Sequence, residues 1–385
     1  MLHMPISTIK KIEDIAGNNP DYVSLSQGSV KLGGVPEEIR EYVRQQLLTN
    51  KTDYYQSCWG LELYREKVSQ VLTQKYGQEF KVSQILPTHG CQGGITLLFM
   101  TLLDADSEII IPEPAYPAYT NIARVSRGNI VYVSCSQDTS TLNMVNWDLD
   151  IEKIKQATTS KTKVILFSNP SNPMGIVIGK QKLLELVSWC EKHGIYLIVD
   201  EAYREYVFDG DCYSSLELVN KSKFVVSVHT FSKSMAMIGW RVGYIVAHEK
   251  LITMLAGMQD ALMNCLNNAS QYAALYALDH PEFTQKFFQI IKNNRDLAMH
   301  ELQPLVDRGI LAFKKPNGGI FLFLKTNQTD TADLCMDILN KAKVGLIPGR
   351  AFGPSGAASI RLCYSRETDV LYEGISRILG YFAQK

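Results

Sequence analysis

The sequence predicts an α/β fold, a mostly parallel sheet flanked by helices with a smaller α+β domain attached, and three observations carry the prediction. Short apolar runs bounded by turn residues recur through the middle of the chain: ILPTH (85–89), EIIIP (108–112), IVYV (130–133), KVILF (163–167), IYLIV (195–199), FVVSV (224–228) and VGYIV (242–246). They are continuously apolar rather than alternating, as strands covered on both faces are. Between several of them lie longer segments with helical spacing, and after about residue 275 the alternation stops.

Each element follows from local signals. The segment QKLLELVSWCEKHG repeats its leucines and valine at three and four residues and stops at Gly194, the residue type that most easily closes a helix. From Glu282, EFTQKFFQIIKNNRDLAMHEL predicts one long helix, followed by the short strands ILAFKK, GGIFLFL, VGLIP and ASIRLCY and one helix around Ala332–Ala342. The expected division is a large domain over residues 40–275 and a small α+β domain from residues 276–385, completed by residues 1–39.

At 385 residues, 46% hydrophobic and 20% charged, the composition is that of an ordinary globular protein. Thirty-nine basic residues balance thirty-nine acidic ones, leaving no electrostatic footprint for nucleic acid or an anionic membrane. A small neutral or zwitterionic ligand is the natural partner. The start, MLHMPISTIKK, has no sustained apolar region with a small-residue cleavage site, and no run approaches the ~18 apolar residues of a membrane span. The eight cysteines, at 58, 91, 135, 190, 212, 265, 335 and 363, form no CxxC pair, and the seven histidines form no HExxH. The expectation is a cytoplasmic protein without a metal site.

In parallel sheets ligands bind beyond the carboxyl ends of the strands. After KVILF comes SNPSNPMG, in which two prolines stop the strand and Asn169 and Asn172 present amide groups. After IYLIV comes Asp200, with Tyr203 three residues on, and after FVVSV comes TFSKSMAMIGWRVGY with Lys233 and Arg241. The first is equally a rigid turn and the second equally a helix N-cap. The apolar neighbours of Lys233 and Arg241 predict that both are buried. A strand-end carboxylate and a buried lysine are together what pyridoxal phosphate requires, one to hold its ring nitrogen protonated and one to form a Schiff base.

The motifs THGCQGG, EPAYPAY, SNPSNPMG, VDEAYREY, TFSKSMAMIGWRVGY and SIRLCYS, in this order and spacing, resemble the fold-type I pyridoxal-phosphate aminotransferases of class I/II, the aspartate aminotransferase superfamily, over nearly the whole chain. The resemblance implies that Lys233 forms the internal aldimine with pyridoxal 5'-phosphate and shuttles the proton. It implies that Asp200 pairs with the pyridinium nitrogen, that Tyr203 and Asn172 contact the phenolic oxygen, and that Tyr116 stacks on the ring. The phosphate falls to Gly90, Cys91 and Gln92, to Thr230 or Ser232, and to Arg241. Arg361 matches the arginine that takes the substrate carboxylate, with Gly28 near it. Tyr55 corresponds to a tyrosine that reaches the phosphate of a neighbouring subunit, so a homodimer with shared sites is expected. Beside the family reading, a guanidinium suits a phosphate or carboxylate bidentately, and a Gly-rich helix start can cradle an anion.

Two stretches depart from the family pattern. VKLGGVP follows LSQGS where a proline-aspartate pair is usual, and QSCW precedes Gly60, placing Trp59 near the substrate side chain. The expected function is transfer of an amino group from an L-amino acid, aspartate-like, aromatic or methionine-like, to a 2-oxo acid such as 2-oxoglutarate by a ping-pong mechanism. The alternative on the same residues is a C–S β-lyase or an amino-acid cyclase. A cofactor-binding regulatory domain is disfavoured by the zero net charge, which leaves no basic DNA-binding module. Asp200 is expected to have a depressed pKa beside a pyridinium, and Lys233 a lowered one from its positive and apolar surroundings.

Overall fold

The structure, a computed structural model, describes residues 4–17, 19–135, 147–210 and 213–384; Cys212 lies outside them. The predicted apolar runs form one seven-stranded sheet: β1 (Ile85–Thr88), β2 (Glu108–Glu113), β3 (Asn129–Ser134), β4 (Thr162–Ser168), β5 (Tyr196–Asp200), β6 (Val225–Thr230) and β7 (Gly243–Val246). Their order is β1-β7-β6-β5-β4-β2-β3, and β7 alone runs against its neighbours.

Successive side chains of a strand point to opposite faces, which explains why the runs are apolar throughout. Ile110, Ile165, Phe167, Leu197 and Val199 join one core cluster. Ile109, Ile111, Val164, Leu166 and Ile198 join another on the other face. The first face is covered by helices Glu62–Tyr76, Lys180–His193 and Asn268–Leu278, which bury Val68, Leu186 and Ala274 among others. Helices Gly90–Leu102, Pro117–Val125 and Glu249–Met263 cover the second. Gly194 takes the left-handed conformation, φ +67°, at the end of Lys180–His193, as its place in the sequence predicts.

A second, antiparallel sheet has the order Ile347–Pro348, Ser359–Cys363, Phe321–Thr326, Leu311–Ala312. Helix Glu282–Asp307 packs its Ile291, Ala298 and Leu302 on it, beside Leu371, Ile375 and Ile378 of a helix Thr368–Ala383 that the sequence reading did not single out. The run VGLIP, read as one strand, is two. Val344–Gly345 pairs in parallel with Val23–Ser24, Leu346 intervenes, and Ile347–Pro348 pairs with Ser359–Cys363. The N-terminal segment is thereby fastened to the C-terminal part of the chain. Among the described residues no helix is long and apolar enough to cross a membrane.

Candidate active site

Beyond the carboxyl ends of β4, β5 and β6 lies a cavity of about 290 Å³. It gathers Gly28, Cys91, Gln92, Tyr116, Asn172, Asp200, Tyr203, Thr230, Ser232, Lys233, Arg241 and Arg361 from seven separate stretches of chain. Sheet register does part of this work, since Ser168 at the end of β4 stands opposite Asp200 at the end of β5.

Asp200 is 5% exposed. Its Oδ2 accepts a hydrogen bond from the Tyr119 hydroxyl at 2.7 Å and its Oδ1 one from the Ala202 amide at 3.0 Å. Burial raises its pKa, and the Tyr119 and Cys91 donors only partly offset this. The expected depression is therefore absent in the protein alone, because no cation forms an ion pair with the carboxylate among the described residues. A protonated pyridine nitrogen would supply that cation.

Lys233 sits in a one-turn helix, Phe231–Ser234, that directly follows β6. The Tyr206 hydroxyl donates to its carbonyl at 2.7 Å and holds the turn in place. The ammonium donates to the Gly28 carbonyl at 2.5 Å and lies 6.0 Å from the Tyr203 ring centroid. Burial lowers its pKa to about 8, with Arg241 and Arg361 acting in the same direction. A larger share of free amine at neutral pH follows. Labelling of Lys233 in the cofactor-free protein by a small aldehyde with borohydride, followed by mass spectrometry, should rise with pH with a midpoint near 8. A midpoint at the ordinary value of 10.5 would show that the surroundings leave the amine unperturbed.

Arg361 is 1% exposed. Its guanidinium lies between the Phe321 and Phe352 rings, 4.4 and 4.7 Å from their centroids, and donates to Asn172 Oδ1 at 3.1 Å and to the Ser26 carbonyl. No carboxylate pairs with it among the described residues, its Nε has no hydrogen-bond partner, and burial lowers its pKa to about 10. Asn172 also donates to the Tyr203 hydroxyl at 3.2 Å, so one amide links the tyrosine to the arginine.

A helix start, two hydroxyls and Arg241 meet at the cavity and could together cradle an anion. Helix Gly90–Leu102 begins without a side-chain cap, so its first N–H groups are free to bind an anion. Thr230 Oγ1 donates to Ser232 Oγ at 2.9 Å, and Arg241 Nη1 donates to Ser232 Oγ at 3.4 Å and to the Ile238 carbonyl at 2.9 Å. Arg241 corrects the expectation of burial: it is exposed at the cavity rim, and Lys233 is only half-buried. The apolar side chains around them, Met235, Met237 and Val242, turn into the core, whereas Arg241, φ +52°, turns out. Gly90 has φ +68°, and a Cβ there would stand 3.1 Å from Arg241 Nη2 and 3.4 Å from Thr230 Oγ1. Gly90→Ala is expected to weaken phosphate binding by about tenfold or more, measured by titration of the cofactor-free protein with inorganic phosphate or pyridoxal 5'-phosphate. Unchanged affinity would remove Gly90 from the cradle.

Three predicted residues do not line the cavity, and Gly90 is one of them, set behind Arg241 and Thr230. Tyr55 is 83% exposed, and Trp59 lies near the Arg65 guanidinium, 5.8 Å from its ring centroid. Sequence reasoning missed others. Tyr119 has a signal, since it follows Tyr116 by three residues, one helical turn. Arg366 has none: it is 2% exposed and donates to the carbonyls of Ser24, Gln27 and Ser29 at 2.8, 2.7 and 2.6 Å, shaping the loop that presents Gly28. Tyr119, Ala202 and Ile238, with Ile9 and Gln27 of the N-terminal segment, complete the lining. Among the described residues no group of three or more His, Cys, Asp or Glu could hold a metal ion.

A doubly covered α/β sheet thus gathers an amine, a carboxylate and two guanidinium groups at its strand ends. The chain belongs to the class I and II aminotransferase family, whose model matches residues 20–378. It is 29% identical over 378 residues to a probable aspartate/prephenate aminotransferase of Aquifex aeolicus, covering 96% of this chain and 93% of that protein. It is 24% identical to an asparagine–oxo-acid transaminase of Streptococcus mutans, covering 98% and 95%. Among solved structures it superposes on the aspartate aminotransferase of Thermotoga maritima with a TM-score of 0.89 at 27% identity, covering 98% of each chain. The aromatic aminotransferase of Pyrococcus horikoshii gives 0.86 at 26%, covering 97% and 99%.

Proposed function

We propose that the chain uses pyridoxal 5'-phosphate to transfer the amino group of an L-amino acid to a 2-oxo acid, in two half-reactions at the one cavity. The observation that carries this reading is a pair of buried charges without an ion-pair partner among the described residues, the Asp200 carboxylate and the Arg361 guanidinium, in one cavity with a lysine whose pKa is lowered to about 8. A cofactor with a cationic ring nitrogen and a substrate with a carboxylate complete both.

When bound, pyridoxal 5'-phosphate supplies an aldehyde that condenses with amines and a ring that accepts the electrons of the substrate's α-carbon. Lys233 would hold the cofactor's aldehyde end and, as a free amine, would take up and return the substrate's α-proton. Its turn, fixed by Tyr206, keeps the amine over the cavity throughout. Asp200 would keep the ring nitrogen protonated, a pairing that burial would strengthen. Tyr203 and Asn172 would serve the phenolic oxygen, and Tyr116 would lie against the ring. Gly90, Cys91, Gln92, Thr230, Ser232 and Arg241 would hold the phosphate. Arg361, kept in place by Asn172, the Ser26 carbonyl and two phenyl rings, orients the substrate carboxylate, with Gly28 beside it.

We assign residues 40–275 to the cofactor-binding domain and residues 1–39 with 276–385 to the small one, and we infer a homodimer. Leu47, Leu48, Tyr54 and Tyr55 are exposed within one short stretch, which supports a partner surface there and the reach of Tyr55 into a second subunit's site, with Trp59 near it. Seven cysteines among the described residues are free thiols, in keeping with a reducing cytoplasm.

The test is a donor screen. Each amino acid is mixed with the yellow holoenzyme, and loss of visible absorbance is followed together with product analysis. One donor should convert the cofactor to its amine form with release of one equivalent of 2-oxo acid, reversed by a 2-oxo acid acceptor. Release of ammonia with pyruvate, or of a cyclised product, would replace this reading with the lyase or cyclase.

A further inference from the structure

A second cavity, of about 420 Å³, lies behind the turn that carries Lys233. Ala202 and Thr230 border both cavities. Its walls come from helix Glu62–Tyr76, the loop after β5, the end of β6, and the first turns of the long helix Glu282–Asp307. The volume falls within the range of about 300–1,000 Å³ typical of small-molecule sites.

One wall is apolar, formed by Leu72, Phe231, Met235, Leu278 and Phe288. The other holds Glu201 and Arg204, whose hydrogen bonding is unequal. The Glu201 carboxylate is 1% exposed and accepts from Ser214 Oγ at 2.7 Å, the Ser215 amide at 2.6 Å and Ser215 Oγ at 2.8 Å. Arg204, whose side chain is 12% exposed, faces Glu201 at 3.5 Å and the Tyr76 ring at 5.0 Å. Its guanidinium makes no hydrogen bond among the described residues, and its Nε is fully buried. The Arg204 ion pair with Glu201 runs through Nε and Oε2 alone and is too long for a good hydrogen bond, so the nearly buried guanidinium keeps unused donors that call for an acceptor. The other charged groups at the cavity, Lys75 and Glu205, pair with each other at 3.6 Å near the surface. His229 is buried and kept neutral by burial and by Arg204, and it is hydrogen-bonded to Ser227 at 2.7 Å.

We propose that this cavity is a second ligand site, for a small carboxylate with an apolar or aromatic body, whose carboxylate meets Arg204 and whose body lies against Phe231, Met235, Leu278 and Phe288. Its position gives it a path to the reaction. The Thr284 hydroxyl donates to the Ser234 carbonyl at 3.1 Å, so the long helix and the Lys233 turn are tied at the cavity's edge. A ligand there touches both.

The probe is 3-phenylpropanoate, which has no amino group to react with the cofactor, added to holoenzyme and followed by saturation-transfer NMR and amide hydrogen exchange. Because Arg361 also binds carboxylates, Arg361→Ala is measured in parallel. Gln285, exposed at the cavity mouth, is replaced by tryptophan to fill the space, and Leu278→Trp is a second plug from another wall. The expected result is binding that survives Arg361→Ala, weakens by about tenfold or more in whichever plugged variant retains the native circular dichroism, and slows exchange at residues 231–238 and 278–288. Binding lost in Arg361→Ala and untouched by the plugs would overturn the proposal, as would no saturation transfer at millimolar probe.

Discussion

Lys233→Ala is expected to abolish multiple-turnover transamination, a loss of about 10⁴-fold or more, because one side chain supplies both the covalent attachment and the proton transfer. The variant loses the hydrogen bond from the ammonium to the Gly28 carbonyl and the ammonium's contact with the Tyr203 ring, at a half-buried position, and the Tyr206 bond to its backbone carbonyl remains. The fold should therefore persist, checked by circular dichroism. Cofactor should still bind in the anion cradle, noncovalently and more weakly. Product formation is measured as 2-oxo acid released per site, and several turnovers per site at more than a trace rate would take the chemistry away from Lys233.

Asp200→Asn is expected to lower kcat by about 10²–10³-fold, since a neutral amide cannot hold the ring nitrogen protonated. The same substitution has an opposite effect on the cofactor-free protein. The carboxylate's folded pKa lies above its ordinary value because of burial, so at neutral pH its charge is a cost to folding. Asparagine removes that cost, and its Oδ1 can still accept from the Ala202 amide while its Nδ2 donates to the Tyr119 hydroxyl oxygen. Thermal unfolding should show an unchanged or raised midpoint without cofactor and a smaller gain when cofactor is added. A destabilised cofactor-free variant would mean that the charge is already paired within the chain. A full catalytic rate would remove Asp200 from the reaction.

Much of this molecule is legible along the chain, for reasons that differ by element. The inner strands of the large sheet could be read because a strand buried on both faces is apolar at nearly every position, as Ile109 to Ile111 and Val164 to Phe167 are, whereas the edge strand β3 is partly exposed. The strand-end residues could be read because sheet topology places whatever follows a parallel strand at one edge. Elements whose meaning depends on long-range pairing were not legible. VGLIP is one apolar run but serves two sheets, since Gly345 pairs with Ser24 while Ile347 pairs with Arg361. Arg241 stands among apolar residues yet faces outward, because its positive φ reverses the backbone there. Trp59 and Tyr55, expected beside the site, lie outside this chain's cavity.

By itself the sequence determined the α/β class, the amine, carboxylate and guanidinium groups of the site, and the family to which they belong, because each rests on local residue order. The tertiary structure alone decided the charge states and the support. Asp200 has a raised pKa and Arg361 a lowered one because folding removes both from water without giving either an opposite charge. Tyr119 and Arg366 matter because the folded chain brings them to Asp200 and to the Gly28 loop. Desolvation and through-space contact are properties of packing, and no stretch of sequence carries them until the chain has closed on itself.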